Sequence, residues 1–260
     1  MAREPFPLVD LRDVRKAYRR HHDRPARLKD AFLARFLGHA HKVEVAWAVR
    51  DFSLRVEPGE IVGLIGPNGC GKTTVLSIVA GVLEATDGRV RVDGRVCPML
   101  QAGAGFHRDL TGLENIYLSG AILGMDRREI DRKLDDIVEW AGAEQWVDTP
   151  VRTFSSGMLM RLGFSVAAHM EPDILIVDEI LATGDEAFRS KVRGRLHDEA
   201  QRGRIVLFVS HYMEEIQMVC DRVIWMEDGS VLRAGPTDAI VEQYIAEGRA
   251  KEVNDEDEER

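Results

Sequence analysis

The sequence lacks any apolar stretch long enough to cross a membrane. Its longest unbroken apolar runs are five residues each, Val45–Val49 and Ile205–Val209, whereas a spanning helix needs about 20. The first residues, Met1 to Pro5, also lack the apolar core of a signal peptide. If the protein acts at a membrane, we therefore expect a separate partner to hold it there.

Cysteine and excess positive charge are scarce as well. The three cysteines, Cys70, Cys97 and Cys220, are odd in number and widely spaced, and none forms a CxxC pair. This pattern favours free thiols in a reducing cytoplasm over disulfides or a zinc site. The net charge of -9 does not favour nucleic-acid binding, although an acidic average leaves room for local basic patches.

The length and the apolar runs predict one α/β domain with a small appended subdomain. The chain has 260 residues, of which 45% are hydrophobic, enough for a substantial core. Residues 112–170 have mostly helical spacing, and the acidic residues 251–260 predict a disordered tail. Short apolar runs predict strands, the last three with the character of a parallel sheet buried on both faces: Leu8–Val14, Val49–Val56, Ile61–Ile65, Ile174–Val177, Ile205–Val209 and Val223–Met226.

A basic segment at about 19–42 interrupts this pattern. It contains seven Lys and Arg residues, two Asp residues and four His residues. Leu28, Phe32 and Phe36 are spaced by four, which predicts a short basic amphipathic helix after Pro25. Such a helix would be either a solvated surface element or one lying at the cytoplasmic membrane surface, near anionic lipid heads or a substrate pyrophosphate.

The strongest motif is a phosphate-binding loop that follows a predicted strand and precedes a predicted helix. Its glycines allow the backbone to wrap around phosphate oxygens, and its N–H groups and the helix end face the anion. We expect Lys72 to reach the β- and γ-phosphates of a nucleotide and Thr73 to ligate Mg²⁺. The motif and the threonine after it comprise Gly66, Pro67, Asn68, Gly69, Cys70, Gly71, Lys72, Thr73 and Thr74.

A pair of acids ends the apolar run Ile174–Val177. Asp178 is suited to hold Mg²⁺ at the carboxyl end of a buried strand. Glu179, the next residue, is suited to orient or deprotonate an attacking water. The phosphate loop and these acids together predict a nucleoside-triphosphate hydrolase, but kinases, GTPases and motors share the loop.

The segment Phe154-Ser155-Ser156-Gly157-Met158, just before a helical stretch, narrows the choice. It resembles the signature motif of ABC ATPases, LSGGQ in most members, and it precedes the acidic strand in the family's order. Ser156 and Met158 depart from that consensus. The resemblance covers about residues 8–240. It implies a P-loop NTPase (RecA-like) core with a helical subdomain at about 105–165 and a small antiparallel β part, the whole ABC ATPase domain spanning about 1–250.

The same resemblance implies further site residues. Gln101 matches the Q-loop glutamine that senses Mg²⁺ or water, Asp185 matches the D-loop that crosses a dimer interface, and His211 matches the switch histidine that contacts the γ-phosphate. Tyr18 best matches the aromatic that stacks on adenine, with Trp47 as the competitor. In this family two copies bind two ATP–Mg²⁺ head to tail, so that Ser155, Ser156 and Gly157 of one copy face the nucleotide of the other.

Other segments resemble the ATPase subunits of polysaccharide exporters, the Wzt and TagH type that serve O-antigen and teichoic-acid export. They are the basic insertion, residues 103–107, 110–115 and 120–124, and the unusual Ser155–Met158. This implies a peripheral subunit at the cytoplasmic face of the plasma membrane, which drives a polytopic permease that moves a lipid-linked glycan. Because the chain ends soon after 247, we expect no C-terminal carbohydrate-binding domain. The alternatives are a soluble ABC ATPase acting on nucleic acid or ribosomes, and a P-loop kinase.

Overall fold

A computed structural model describes residues 7–21, 43–99, 105–178 and 185–258. Within these ranges the chain alternates strands and helices. The strands are β1 Leu8–His21, β2 Val43–Val56, β3 Ile61–Ile65, β4 Asp87–Asp93, β5 Val96–Met99, β6 Ile174–Asp178, β7 Ile205–Val209, β8 Arg222–Glu227 and β9 Ser230–Pro236. The helices are α1 Lys72–Val79, α2 Gly112–Ile122, α3 Arg127–Ala141, α4 Ser156–His169, α5 Glu186–Gln201, α6 Met213–Val219 and α7 Thr237–Glu258, with a 3₁₀ turn at Val151–Thr153.

The larger sheet has six strands in the order β5-β6-β7-β3-β8-β9. Its strands pair in parallel except for the antiparallel pair β8–β9. The short apolar runs predicted to be strands β3, β6 and β7 are buried along their whole length. Alternate residues face two cores: Leu64 and Ile176 pack towards α1 and the smaller sheet, whereas Val177 and Phe208 pack towards the helices. Burial on both faces explains why these strands are continuously apolar.

The smaller sheet is antiparallel, in the order β2-β1-β4. Both β1 and β2 are 14 residues long, which corrects the shorter strands 8–14 and 49–56 that the sequence predicts. Beyond Arg15, the only described strand that pairs with β1 is β2, out to the pair His21↔Val43. A two-stranded ribbon leaves side chains on both faces in water, so the polar residues there hide the apolar alternation.

This ribbon also corrects the start of the predicted basic insertion. Residues 19–21 belong to β1, so the segment between the two strands begins at 22. Residues 22–42, with the predicted amphipathic helix, lie outside the described residues, and that helix stays a prediction.

The predicted helical region is confirmed as α2, α3 and α4. Thr111 and Glu114 form a capping box at the start of α2. Trp140, Phe164 and Phe188 form an aromatic cluster that ties α3, α4 and α5 together, with ring centroids 5.2 to 6.1 Å apart. The helical part is thereby packed onto the parallel-sheet core, although its boundaries at 105–165 stay a prediction.

The sequence predicts a disordered tail at 251–260, whereas helix α7 continues to Glu258. Residues 249–253 include Ala, Lys and Glu, which have high helix propensity, and no Gly or Pro follows Gly248. No helix in the described ranges is long and apolar enough to cross a membrane.

The three cysteines are buried and free of disulfides, as the sequence predicts. Burial raises the pKa of Cys97 to about 12 and also raises that of Cys220. These two thiols are therefore protonated and unreactive at neutral pH.

Candidate nucleotide site

The phosphate loop connects β3 to α1. Gly66, with φ 141°, and Gly71, with φ 106°, have backbone conformations that favour glycine. A Cβ atom on Gly66 would lie 2.1 Å from the Met226 carbonyl oxygen, and one on Gly71 would lie 2.4 Å from the Ala48 carbonyl oxygen. These glycines therefore let the loop pass against two neighbouring backbone segments, a reason that the sequence motif alone does not reveal.

Lys72 holds its ammonium group inside this loop. The side chain is buried, and Nζ donates hydrogen bonds to the carbonyl oxygens of Gly66 at 2.7 Å and Pro67 at 3.0 Å. Nζ also lies 3.9 Å from Sγ of Cys70. The tip of the loop is exposed, and it consists of Pro67, Asn68 and Gly69. The loop thus holds the Lys72 charge just beneath an exposed tip, next to the amino end of α1 with Thr73 and Thr74.

Thr73 and Asp178 are brought together from distant parts of the sequence. Oγ1 of Thr73 donates to Oδ2 of Asp178 at 3.4 Å, and the Asp178 side chain is 8% exposed. A hydroxyl and a carboxylate are oxygen donors of the kind that Mg²⁺ prefers. The described ranges contain no cluster of three or more His, Cys, Asp or Glu residues that could hold a metal. Two oxygen donors suit an ion whose other ligands are phosphate and water oxygens.

The strands that precede the other predicted residues end at the carboxyl edge of the parallel sheet. Along the sequence, Gln101 follows β5, Asp178 ends β6 and His211 follows β7. Because β3, which precedes the phosphate loop, is the neighbour of β7, the ends of these strands follow one another along one edge. Gln101 and Glu179 themselves lie outside the described residues.

The signature segment forms the start of α4. Ser155 is its N-cap, and its hydroxyl accepts a hydrogen bond from the Met158 backbone N–H at 3.2 Å. Ser155 and Ser156 are exposed, and Gly157 is half-buried. Within the described part of the chain, no hydrogen bond joins Ser155 to the phosphate loop. That a second copy meets this segment stays a prediction.

Asp185 has partners within its own chain. It is the N-cap of α5 and accepts from the Phe188 backbone N–H at 2.8 Å, and it forms an ion pair with Arg161 of α4. The bond from the Phe188 N–H, and next the charge of Arg161, lower the pKa of Asp185. Sequence reasoning missed Arg161, because one arginine on a helix carries no signal of its partner.

Tyr18 and Trp47 lie on opposite faces of the β1–β2 ribbon. Tyr18 pairs with Ala46, the residue before Trp47, and neighbouring residues of a strand point to opposite faces. The two rings are 39% and 40% exposed. The Lys16 Nζ atom lies 5.6 Å from the Tyr18 ring centroid. It donates a hydrogen bond to the carbonyl oxygen of Glu84, in the segment after α1, at 2.7 Å. The choice of Tyr18 over Trp47 as the adenine-stacking residue stays a prediction.

Sequence reasoning also missed a role for Ser210, which precedes His211, and for Glu215, four residues after it. Both side chains are buried, and the Ser210 hydroxyl donates to the Glu215 carboxylate at 2.7 Å. The only sequence signal was a second glutamate at the start of α6, which a solvated helix end would also explain.

Comparison with known proteins agrees with this geometry. The family model described as "ABC transporter" matches residues 49–182. The O-antigen export system ATP-binding protein RfbB of Klebsiella pneumoniae is 43% identical over 239 residues, covering 92% of this chain and 97% of that protein. The teichoic acids export ATP-binding protein TagH of Enterococcus faecalis is 41% identical, and the match covers 79% of this chain and 46% of that protein.

The fold has a close structural counterpart. The dimeric structure of a post-hydrolysis state of the ATP-binding cassette MJ0796, bound to ADP and Pi, aligns with a TM-score of 0.70 at 21% identity, covering 88% of this chain and 98% of that one. At this identity the likeness bears on the fold alone. With the family match and the RfbB relative, the phosphate loop and the sheet-edge acid lead to one conclusion: the chain belongs to the ABC transporter family, as an ATP-hydrolysing cassette.

Proposed function

We propose that this chain is the nucleotide-binding subunit that powers export of a lipid-linked polysaccharide through a separate membrane permease. The observation that carries the proposal is the pair of relatives at 41% and 43% identity, whose names specify teichoic-acid and O-antigen export. The subunit would bind the permease at the cytoplasmic face of the plasma membrane as a peripheral protein.

Each residue of the site has a role in this proposal. Lys72 and the loop N–H groups bind the β- and γ-phosphates of ATP, and Tyr18 stacks on adenine. Glu179 accepts a proton from the attacking water, and His211 orients the γ-phosphate. Thr73 and Asp178 would hold Mg²⁺, with Gln101 as a further ligand. When bound, Mg²⁺ neutralises charge on the phosphate oxygens.

The site would be completed by a second copy. The exposed amino end of α4, with Ser155, Ser156 and Gly157, offers backbone N–H groups to an anion. In a head-to-tail dimer these residues would face the γ-phosphate held by Lys72 of the other copy. Closure of the dimer around two ATP molecules would move the permease, and hydrolysis would reopen it.

The experiment that tests the export proposal is gentle purification of the tagged chain from native membranes, followed by mass spectrometry of protein and lipid. We expect a polytopic membrane protein and a polyprenyl-linked glycan. The Lys72→Ala variant is the matched control: it should retain the membrane protein, and added ATP should release the glycan from the wild-type sample but not from this variant. Recovery of a soluble partner or nucleic acid, with no membrane protein, would overturn the export role and leave the ATPase assignment intact.

A further inference from the structure

Glu215 is a buried carboxylate, and packing of the fold alone does not explain why the free-energy cost of burying it is tolerated. Its side chain lies in the first turn of α6 and is 6% exposed. One oxygen, Oε2, accepts from the Ser210 hydroxyl at 2.7 Å, and the other, Oε1, has no hydrogen-bond partner in the part of the chain that the structure describes. Burying a charged group with one open oxygen is unfavourable, and such groups occur where a function depends on them.

The bond from Ser210 belongs to a small network around His211. The Ser210 oxygen that donates to Glu215 also accepts from the Tyr212 backbone N–H at 3.1 Å. Ser210 and Tyr212 are the residues immediately before and after His211. We call Ser210, Tyr212 and Glu215 the histidine clasp, because their two hydrogen bonds fix the backbone on both sides of His211.

The direction of these bonds depends on Glu215. A carboxylate only accepts, so it holds the Ser210 proton on its own side and leaves a lone pair of the hydroxyl for the Tyr212 N–H. Without this acceptor the hydroxyl rotates, and the Tyr212 N–H bond loses its fixed geometry. His211 is exposed at the carboxyl edge of the sheet, and the backbone from which its ring projects is the one that these bonds hold.

We propose that Glu215 is a positioning residue for ATP hydrolysis, which acts through Ser210 to aim the His211 ring at the γ-phosphate. This inference rests on the role of His211 in the proposed function. Glu215 is not a catalytic residue, since among the described residues its side chain accepts a hydrogen bond from Ser210 alone. The clasp acts after ATP is bound, so it affects kcat rather than KM.

The test compares the steady-state ATPase activity of the purified full-length chain with that of its variants. Since small misplacements of a reacting group can cost about 100-fold in rate, we expect Glu215→Ala to lower kcat by roughly tenfold and to change the KM for ATP less than twofold. Glu215→Gln retains an oxygen that accepts from Ser210 and should restore kcat to within about twofold of wild type. Ser210→Ala should match Glu215→Ala, and the double variant should be no slower than either.

Glu214→Ala is the control, since Glu214 is the exposed neighbour in the same turn, and it should behave as wild type. An unchanged kcat in Glu215→Ala, or a glutamine variant as slow as the alanine variant, would overturn the inference. His211→Ala separates the two proposals. If His211→Ala lowers kcat and Glu215→Ala does not, the positioning role of Glu215 is refuted and the role of His211 stands. If His211→Ala keeps the wild-type kcat, both the role of His211 and the positioning role of Glu215 are refuted.

Discussion

At the scale of single residues, the phosphate-loop glycines differ in the space that the structure leaves for a Cβ atom. Gly69 has φ 80° and open space around a Cβ, whereas Gly71 has φ 106° and the Ala48 carbonyl oxygen in the way. The sequence predicts both as parts of one phosphate cradle. It cannot show that one of them is also a packing position, because the partner backbone comes from β2, 23 residues earlier.

This difference predicts unequal costs of alanine. Gly69→Ala should destabilise by roughly 1–2 kcal/mol, the strain of a left-handed non-glycine residue. Gly71→Ala adds a clash with backbone and should cost roughly 1–3 kcal/mol more. The measurement is urea unfolding followed by circular dichroism. Equal midpoints for the two variants would contradict the packing role of Gly71.

His169 predicts a pH dependence of stability. Burial, offset in part by the bond from Nδ1 to the Ser165 carbonyl oxygen, lowers its pKa, and the charges of Arg195 and Lys133 lower it further while Asp136 opposes them. The unfolded chain therefore binds the proton first as pH falls below about 6.5. The stability that His169 contributes is complete above that pH and is lost as pH falls towards the lower folded pKa.

The variant that isolates this effect is His169→Gln. We expect the unfolding free energy of wild type to fall more between pH 7.5 and 5.5 than that of the variant. Urea titrations at both pH values measure this difference, since the other titrating groups cancel. A parallel loss in the two proteins would show that His169 does not carry the dependence.

At the scale of elements, the solvent exposure of a strand or helix determined whether its full length could be predicted from the sequence. The buried strands β3, β6 and β7 are recognisable because all their residues are apolar, and α3 is recognisable from its periodicity. The outer halves of β1 and β2 are not recognisable, because the ribbon there accepts both Lys16 and the exposed Tyr18. Contacts at element ends, such as the ion pair of Arg161 with Asp185, were also not predicted, because the two partners come from different helices.

The start of α5 gives an element-scale prediction. Asp185 caps the helix and pairs with Arg161, so Asp185→Ala removes both contacts and should lower the urea midpoint. Asp185→Asn keeps an oxygen for the Phe188 N–H, and Asn is as good an N-cap as Asp. The asparagine variant should therefore stay near the wild-type midpoint. A loss as large as that of alanine would mean that the ion pair, not the cap, holds the element.

At the scale of the whole molecule, the sequence predicts which strand each site motif follows. It does not show whether one chain contains the whole site. Strands β3, β5, β6 and β7 end along one edge because parallel strands end on the same side. Ser155 is different: its helix belongs to the helical part, and its hydroxyl is used by Met158. In the proposed head-to-tail dimer each chain would supply two half-sites, so the proposed function depends on an assembly of two chains.

Glu179→Gln tests this assembly. The variant keeps the groups that bind ATP but lacks the carboxylate proposed to accept a proton, so we expect turnover to fall at least about 100-fold, the lower range of general-base contributions. Bound ATP should then hold two copies together, and light scattering after gel filtration should give twice the monomer mass with ATP–Mg²⁺ and the monomer mass with ADP. Adding Lys72→Ala to the same chain is the control, because weakened ATP binding should return the mass to that of the monomer. A dimer that forms equally without nucleotide, or wild-type turnover in Glu179→Gln, would refute the closed ATP-bound dimer as the hydrolysing state.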